Sequence, residues 1–296
     1  MIMQKTFIVF NKGEQRRFLQ YVKLRLDCGW KSIIRVIPIS RSMFFKCLKE
    51  EYYLTEAVFR ILINKASISE SHYSFRLDKR QYDVAIIPNK DCENFAEFVG
   101  ILLGDGHLAK GTFSTVITIN SELEKEYLEN RLKPLFFELF DSVGKIRYTK
   151  KAKSVQIYLY SKKLFDFLTK EIEIPCGRRI NNSQNKIPNY FFQNETTLRA
   201  CLRGLFDTEG SLSIRHHRAI RLSIYNKSNY LLDSLYCALK TLHFNPIRKN
   251  KSVRLNRTSE IIRFFNEIGS HNPYKEERYL NWLKTGKLEN VHTAVL

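Results

Sequence analysis

The feature that most constrains this chain is an internal repeat in its last two thirds. Two ten-residue segments, Phe98–His107 and Leu202–Ser211, align without gaps, and the alignment matches Asp105 with Glu209, 104 positions later. In both copies a glycine lies five residues before the acid, and another glycine follows it directly. Self-similarity at a fixed spacing indicates repeated structural units. The sequence therefore predicts two similar units, each beginning with one of these segments.

The residues after each segment predict the same order of secondary structure. After the first segment, period-two alternation predicts strands at Ser114–Asn120, Lys145–Thr149 and Ser154–Tyr160, with helices over 123–136 and 161–169. After the second segment, the expected elements are a strand at 219–226, a helix at 229–242, strands near Ile247 and Val253, and a helix at 259–268. Each unit thus reads helix, two strands, helix, two strands, helix. This order predicts an α/β (α+β) fold of two pseudo-symmetric αββαββα repeats.

The charge of the chain indicates a polyanionic partner. Forty-nine Lys and Arg residues against thirty Asp and Glu give a net charge of +19, which attracts nucleic acid or an anionic membrane surface. No apolar stretch approaches the roughly 20 residues that a bilayer span needs, and residues 1–10 lack the pattern of a signal peptide. The six cysteines are scattered without a C-x-x-C pair, which is typical of reduced thiols. We expect a cytoplasmic protein, in a prokaryotic cell or an organelle matrix, that is not secreted and binds no membrane.

One face of each predicted sheet has the composition of a nucleic-acid-binding surface. In Ser154–Tyr160, Val155, Ile157 and Leu159 alternate with polar and aromatic residues, so one face is core and the other carries hydrogen-bonding groups. Such groups can contact phosphates and base edges, although an ordinary solvated sheet face would alternate in the same way. The many basic residues in the connections favour DNA. The candidate DNA-binding residues of the repeats are Arg147, Lys151, Lys153, Gln156, Tyr158, Arg215, Arg218, Arg221, Arg248, Lys249, Lys251 and Arg254.

Both repeated segments resemble the motif of the LAGLIDADG homing endonucleases, in the form that carries two motifs on one chain. The resemblance implies that the two motif helices pack side by side at a pseudo-twofold axis through small residues, which here are Gly100, Gly104 and Gly204. It also implies that the acid closing each helix is a metal ligand, and that the sheets form a saddle-like DNA-binding surface. The matching acids are Asp105 and Glu209.

The first motif narrows the choice of metal ligand in the second. The family often has acids at the sixth and eighth motif positions, but the sixth position of the first copy is Leu103, so only Asp105 can be a ligand there. By symmetry Glu209 is preferred to Asp207, which we expect at the interface or behind the ligands. Two carboxylates at adjacent helix C-termini repel each other unless a divalent cation lies between them. The expected cofactor is Mg²⁺, or another divalent cation such as Mn²⁺, which can activate water at a scissile phosphate.

Further catalytic candidates follow from the resemblance alone. Family members place polar side chains at the end of the second strand of each unit, and these positions match Asn120 and Asn226. They also place a lysine after the last helix of each unit, for which the candidates are Lys186 and Lys275. For either lysine, a plain surface cation is the alternative reading. The implied reaction cleaves both strands of a long DNA site across the minor groove and leaves short 3′ overhangs.

The first part of the chain resembles a helix-turn-helix. A first helix with Ile33 on its inner face, a turn, and a second helix capped by Ser40 would present Arg41 and Lys46 to the major groove. Pro38 stands in the turn where glycine is common, and a plain helical cap is the alternative. We expect a small all-α domain here. The expected division of the chain is a helix-turn-helix-like region at 1–68, a connector at 69–91, the first repeat at 92–180, a linker at 181–194, the second repeat at 195–290, and a tail at 291–296.

Two other functions on the same fold stay open. An intron-RNA maturase would use the sheets as a binding platform, and a transcription regulator would join them to the helix-turn-helix, and neither needs paired metal ligands. Acids at both helix ends favour a nuclease, because a pure binding module gains nothing from two repelling carboxylates near a phosphate backbone. We therefore predict a monomeric, site-specific DNA endonuclease whose partner is double-stranded DNA, with intron RNA as the alternative partner.

Overall fold

The computed structural model describes residues 2–83, 87–149, 152–215 and 219–288. Contacts divide the chain into two compact units, Met1–Val84 and Ala85–Leu296. The predicted connector at 69–91 therefore does not separate them as a loop, because most of it belongs to the first unit. Among the described residues, no helix combines the length and the hydropathy that a membrane crossing requires. The predicted tail at 291–296 and the last two residues of the second repeat lie outside the described residues.

The first unit mixes helices with a sheet. Its helices are Glu14–Arg25 (α1), Trp30–Arg35 (α2), Arg41–Leu48 (α3) and Glu56–Ala66 (α4), and its strands are Ile2–Phe10 (β1), Leu54–Thr55 (β2) and Phe75–Asp83 (β3). The sheet order is β2-β1-β3, with antiparallel pairing throughout. The prediction of an all-α domain is wrong. The strand β3 pairs with β1 along its whole length although about 70 residues separate them, and such non-local pairing leaves little local signal.

Two side chains join α1 to the end of α3. The amide of Gln15 donates to the carbonyls of Cys47 (2.6 Å) and Tyr52 (2.7 Å) and accepts from the backbone N–H of Leu54 (3.1 Å). The carboxylate of Glu50 accepts from the N–H groups of Gly13 (2.8 Å) and Arg16 (3.0 Å). It thereby satisfies backbone N–H donors at the start of α1 that have no acceptor within the helix. Two helices, α2 and α3, lie in the range of the predicted helix-turn-helix, which itself stays a prediction. Ser40 caps α3 by accepting from the N–H of Met43, as expected.

The second unit contains the two predicted repeats with the same order of elements. The first repeat consists of Glu93–Asp105 (α5), Gly106–Ala109 (β4), Ser114–Asn120 (β5), Lys125–Tyr127 (α6), Lys133–Phe140 (α7), Lys145–Thr149 (β6), Ser154–Tyr160 (β7) and Lys162–Lys170 (α8). A short π-helical segment, Leu128–Leu132, joins α6 to α7. The second repeat consists of Glu195–Glu209 (α9), Gly210–Ile214 (β8), Ile220–Tyr225 (β9), Asn229–Thr241 (α10), Ile247–Lys249 (β10), Ser252–Leu255 (β11) and Thr258–Glu267 (α11). A further helix, Pro273–Thr285 (α12), follows it.

The two sheets of this unit have the same topology. Their strand orders are β4-β5-β7-β6 and β8-β9-β11-β10, and every pair is antiparallel. The apolar side chains that were predicted to face the core do so, since Val155, Ile157, Leu222 and Ile224 are buried. The α/β fold with two pseudo-symmetric repeats is therefore confirmed.

The helices α5 and α9 pack against each other through their glycines. A β-carbon on Gly100 would overlap the backbone carbonyl of Cys201, and one on Gly204 would overlap the carbonyl of Glu97. Glu97 and Cys201 are themselves matched positions, 104 residues apart, so the two contacts are related by the pseudo-twofold axis. This close approach brings the carboxyl ends of both motif helices to the same place.

Candidate active site

The two predicted metal ligands end neighbouring helices. Asp105 is the last residue of α5 and Glu209 the last of α9. The absence of a side chain at Gly104 lets α9 approach, because a β-carbon there would overlap the Thr208 hydroxyl and lie 3.1 Å from Cγ of Glu209. Glu209 therefore lies against the residue that precedes Asp105. The structure brings the two acids together as the motif alignment predicts.

Both carboxyl groups are held in an environment that disfavours their charged forms. Burial, together with the negative charges of Glu209 and Glu124, raises the pKa of Asp105 to about 7. Burial also raises the pKa of Glu209, although a hydrogen bond from Asn226 and the charges of Lys275 and Arg179 act in the opposite direction. Two partly buried acids side by side are costly without a compensating positive charge. This pair is accordingly suited to bind a cation.

Two cations lie at the ends of the motif helices, and they occupy equivalent positions. Nζ of Lys275 donates to the carbonyls of Phe206 (2.7 Å) and Thr208 (3.1 Å) at the end of α9. The guanidinium of Arg179 donates to the carbonyls of Leu102 (2.9 Å) and Gly106 at the end of α5. Leu102 and Phe206 are matched positions of the two motifs. A cation is favourable at the negative end of a helix, so each motif helix has its own partner there.

The two predicted asparagines end their strands in the same kind of turn. The side-chain oxygen of Asn226 accepts from the N–H of Ser228 (2.9 Å), and that of Asn120 accepts from the N–H groups of Glu122 (2.9 Å) and Leu123 (3.0 Å). Nδ2 of Asn226 donates to Oε1 of Glu209 (2.8 Å), so Asn226 holds one of the two acids. The backbone N–H of Asn120 donates to Glu124 (2.9 Å). The two halves of the site are therefore similar in framework but different in detail.

Lys186 is not brought to the carboxylates. It lines a separate surface depression with residues that include Glu171 and Glu173. The cation that lies at the end of α5 is Arg179, which sequence reasoning missed. A second alignment of the repeats would have found it, since α8 and α11 begin 96 residues apart, at Lys162 and Thr258, and Arg179 lies 96 residues before Lys275.

A cavity of about 510 Å³ opens beside Glu209. Its lining includes Arg179 and Asn226 from the site, and two further cations, Lys227 and Lys251. His107, which directly follows the first motif, also lines it. The cavity therefore combines one acid with several positive groups, a composition that suits a phosphate beside a metal ion.

The predicted DNA-binding face of the first sheet carries an aromatic and amide cluster. The rings of Tyr158 and Tyr160 stack with centroids 5.9 Å apart, and Nζ of Lys145 lies 5.6 Å from the centroid of Tyr160. The hydroxyl of Tyr158 donates to Gln156, whose amide donates to Thr118 (3.1 Å). Arg147 on the neighbouring strand is exposed. These side chains lie on the face opposite the core, as the alternation predicts.

Several predicted DNA-binding cations already have partners within the protein. Arg248 contacts Asp233 (2.8 Å) and Asn229 (2.9 Å) of α10, and Lys153 pairs with the exposed Glu122 (3.0 Å). On the second sheet, Nε of Arg221 donates to Asn256 (3.1 Å) and Nε of Arg254 donates to Ser252 (2.9 Å). Arg215, Lys249 and Lys251 are exposed in the second repeat, as are Arg41 and Lys46 in the first unit, whereas Lys151 and Arg218 lie outside the described residues.

The comparison with protein families finds a match in the second repeat. Residues 196–269 match the family described as LAGLIDADG-like domain. Residues 196–269 form a LAGLIDADG-like domain. The matched range begins in α9 and ends just after α11, so it contains the second motif helix, its sheet and its last helix. The resemblance predicted from the motifs is confirmed.

Solved structures similar to this chain include homing endonucleases. A mesophilic variant of the homing endonuclease I-DmoI is 23% identical, with a TM-score of 0.43, over 60% of this chain and 95% of that one. The LAGLIDADG meganuclease I-AabMI bound to uncleaved DNA is 14% identical, with a TM-score of 0.43, over 64% of this chain and 89% of that one. The homing endonuclease I-WcaI bound to its recognition sequence is 16% identical, with a TM-score of 0.44, over 64% and 88%. No curated protein matches the chain.

The adjacent ends of α5 and α9 carry two carboxylates, Asp105 and Glu209, that could contact a cation. In the part of the chain that the structure describes, no three His, Cys, Asp or Glu side chains form a cluster that could hold a metal ion. Two carboxylates are nevertheless an appropriate donor set for Mg²⁺, which usually takes one or two carboxylates and completes its shell with water and phosphate oxygens. The raised pKa of Asp105 fits this reading, because a cation would stabilise the charged form of both acids.

A buried ionic cluster beside the site has no counterpart in the sequence prediction. Glu97 on α5 is fully buried and accepts from Arg131 (2.7 Å at each of its two oxygens), Arg203 (3.1 Å) and His271 (2.9 Å). Burial raises the pKa of Glu97, but the hydrogen bonds from His271 and Arg131 outweigh it and leave the pKa at about 2. These partners come from both repeats. The cluster therefore joins the LAGLIDADG-like domain to the first motif helix.

Proposed function

We propose that this chain is a homing-type, site-specific endonuclease that cleaves both strands of a long DNA target with the help of a divalent cation, Mg²⁺ or Mn²⁺. The observation that carries the proposal is the pair of partly buried carboxylates, Asp105 and Glu209, at the adjacent carboxyl ends of α5 and α9. A binding platform has no use for such a pair. A phosphodiester hydrolase needs it, because the acids hold the cations that the reaction requires.

Each residue of the site has a distinct task in this proposal. Asp105 and Glu209 would hold the divalent cations, which when bound would polarise the phosphate and lower the pKa of water. Asn226 orients Glu209 through its hydrogen bond of 2.8 Å. Arg179 and Lys275 offset the negative charge of the acids while they hold the helix ends. Asn120 occupies the place equivalent to Asn226 and would order water on the Asp105 side.

The DNA would lie across the polar faces of the two sheets. The exposed basic side chains on these faces and in their connections would contact phosphates. Gln156, Arg221 and Arg254 lie on strands from which side chains can reach base edges. Those three already make hydrogen bonds within the protein, which hold them in defined orientations before DNA arrives. Pre-ordered side chains lose less conformational entropy on binding. We expect a monomer to suffice, because one chain carries both motifs.

The proposal is tested with a plasmid pool that carries random duplex inserts. We expect the wild-type chain to linearise a sequence-restricted fraction of the pool in Mg²⁺ or Mn²⁺, and sequencing of the ends should show short 3′ overhangs. Addition of EDTA should abolish cleavage but leave binding of selected duplexes measurable. Binding without any cleavage in either cation, together with preference for structured RNA over duplex DNA at matched salt, would contradict the proposal and favour the maturase function.

We further propose that the first unit reads DNA through α3. Arg41 and Lys46 are exposed on this helix, and Phe44 and Cys47 anchor it in the core of the unit. Arg41 lies over the ring of Phe45 (5.9 Å) and Lys46 over that of Tyr52 (5.3 Å), so both side chains rest on aromatic surfaces. Such contacts favour extended, ordered cations that can enter a groove.

Replacement of Arg41 and Lys46 by alanine should shorten the protected footprint on the target and weaken binding by a few kcal/mol at most, since a good base contact contributes about 1–3 kcal/mol. Cleavage at saturating protein should persist, because the carboxylates lie in the other unit. Footprinting with the selected duplex provides the measurement. The matched control is Arg60→Ala with Lys65→Ala, which removes the same charge from α4. If both double variants leave the same footprint as the wild type, α3 is a structural helix and not a reader.

A further inference from the structure

The segment that joins α11 to α12 is unusual for a loop because two of its polar side chains are buried. Ser270 is 8% exposed and Asn272 0%, and Lys275, in the first turn of α12, is 8% exposed. Connecting segments normally run over the surface, where water satisfies their polar groups. Here the polar groups must find partners inside the protein. We refer to residues 270–275 as the strap.

One set of strap contacts is made with α9. The carboxylate of Asp207 accepts from Oγ of Ser270 (2.5 Å) and from the backbone N–H of His271 (3.0 Å). Nδ2 of Asn272 donates to the backbone carbonyl of Asp207 (3.0 Å). Asp207 is fully buried, so its side chain is a fixed anchor rather than a surface acid. The strap is thereby held along the last turn of the second motif helix.

A second set of contacts is made with the first repeat. Nδ2 of Asn272 also donates to Oε1 of Glu124 (2.8 Å), whose other oxygen accepts from the N–H of Asn120 (2.9 Å). Nδ1 of His271 lies 2.9 Å from Oε1 of Glu97, the buried acid of α5. Asn272 therefore links the end of α9 to the turn that follows β5. The strap bridges the two repeats directly behind the pair of carboxylates.

The strap ends at the cation of the second motif helix. Lys275 follows Asn272 by three residues, and its Nζ contacts the carbonyls of Phe206 and Thr208. The segment before Arg179, the equivalent cation of the first repeat, differs from the strap. With the 96-residue offset of the last helices, the positions that match Ser270, His271 and Asn272 are Ile174, Pro175 and Cys176, none of which can make these contacts. The strap is a feature of one half of the site alone.

We propose that Asn272 is a positioning residue, and that the strap fixes Lys275 at the end of α9 only when Glu124 and Glu97 of the first repeat are docked against it. Its consequence for cleavage rests on the proposed function. The placement of Lys275 itself does not, because it depends only on the contacts between the strap, α9 and the first repeat. Completion of this half of the site is thus coupled to the packing of the two repeats.

The test reverses the polarity of one side chain without changing its shape. Asn272→Asp replaces the amide donor by a carboxylate that faces Glu124 and the carbonyl of Asp207, so it should repel both and displace the strap. We expect turnover at saturating DNA to fall about 10- to 100-fold, the range typical when a group that orients a metal site is lost, with DNA affinity nearly unchanged. Adding Glu124→Gln should restore part of the rate, because the new amide can donate to the new carboxylate and still accept from Asn120.

A second measurement follows Lys275 without reference to cleavage. The wild-type amine should be protected from an amine-acylating reagent because it is buried, whereas Asn272→Asp should make it reactive and the double variant should protect it again. Mass spectrometry of the peptide that contains Lys275 gives the extent of acylation. Asn281→Asp on α12 introduces the same change of charge on a partly exposed side chain and is the matched control. Ser270→Ala removes one hydrogen bond to Asp207 and the contacts of the same hydroxyl with the backbone of Asn272, but it introduces no charge. It should give the same changes with smaller amplitude if Asn272→Asp does not fold.

The outcomes separate this inference from the proposed function. Wild-type rate and wild-type protection of Lys275 in Asn272→Asp, or in Ser270→Ala if only that variant folds, would overturn the positioning role. Loss of rate without rescue by Glu124→Gln would also overturn it, because the contact across the repeats would then be irrelevant. If the wild-type chain cleaves no DNA while the acylation pattern holds, the proposed function fails and the positioning of Lys275 stands.

Discussion

Asp105→Asn and Glu209→Gln are each expected to abolish double-strand cleavage while the chain still binds its duplex target. Each substitution keeps the shape of the side chain and removes the negative charge that a divalent cation needs. The loss should exceed the roughly 100-fold that follows removal of a group acting behind a metal ligand. Folding should be preserved, and a small gain in stability is expected, because burial raises the pKa of both carboxyl groups and their neutral replacements avoid that cost.

The measurement is a cleavage time course on a selected duplex, with separate quantification of nicked and linear products. Asp166→Asn on α8 and Glu195→Gln at the start of α9 make the same chemical changes, the second of them 14 residues before Glu209, and both variants should cut at the wild-type rate. Nicking by one single variant would be compatible with paired ligands in which each acid acts mainly on one strand. Wild-type linearisation by either variant would remove that residue from the set of ligands.

The core of the repeat fold could be predicted because its signals are local. The strands at Ser114–Asn120, Lys145–Thr149 and Ser154–Tyr160 have the bounds expected from their alternation. Burial follows the alternation along Ser154–Tyr160, whereas residues 114–117 are all buried and Lys145–Thr149 has no buried residue. Each motif helix ends at the acid expected from the motif alignment, and the glycine that follows it has an extended backbone, with φ of −99° at Gly106 and −79° at Gly210. The strand β3 could not be predicted, because what makes it a strand is its pairing with β1 at the far end of the unit.

The residues of the candidate site could be predicted where the two repeats carry them at matched positions. Asp105 and Glu209 follow from the motif alignment, and Asn226 from the end of β9, where it contacts Glu209. The first cation was misplaced at Lys186 because no fixed spacing relates the motif to the segment after the last helix. The first repeat has a longer central helical segment and longer strands than the second, so the offset falls from 104 at the motifs to 96 at the last helices. Only an alignment of the last helices therefore matches Arg179 with Lys275.

The contacts that join the repeats could not be predicted from the sequence, because the residues that make them have no counterparts in the other repeat. Glu97 has Cys201 at its matched position, and Asp207 has Leu103, so neither acid is supported by symmetry. The partners of Glu97 come from α9, from the π-helical segment and from the strap, which are far apart in sequence. In the sequence, a buried acid on a motif helix therefore resembles an ordinary polar interruption of the apolar pattern. Only the fold shows that three side chains donate hydrogen bonds to it.

Gly100→Ala and Gly204→Ala are expected to be the most damaging single substitutions for the fold of the second unit. In each case the added methyl group would overlap a backbone carbonyl of the opposite helix, at Cys201 or at Glu97, and a backbone atom cannot move aside as a flexible side chain can. Overpacking of a core costs about 1–3 kcal/mol when side chains can adjust, so a larger loss is expected here. For a unit of this size that corresponds to a fall in Tm of roughly 10 °C or more.

Thermal denaturation followed by circular dichroism gives the measurement, with cleavage at a permissive temperature as a second readout. Gly29→Ala and Gly111→Ala are the controls, because a β-carbon at either position would meet no atom within 4 Å and neither requires a positive φ. Gly111→Ala should keep the wild-type Tm or raise it slightly, since alanine restricts the unfolded chain. Gly29→Ala should lower it only slightly, because Gly29 is the N-cap of α2 and alanine is a poorer cap. Separation of α5 from α9 by even a fraction of an ångström would also part Asp105 from Glu209, so cleavage should fall in Gly100→Ala and Gly204→Ala even where the protein stays folded. Equal Tm values for all four variants would show that the motif helices do not pack through their glycines, and the shared location of the two acids would then have no structural basis.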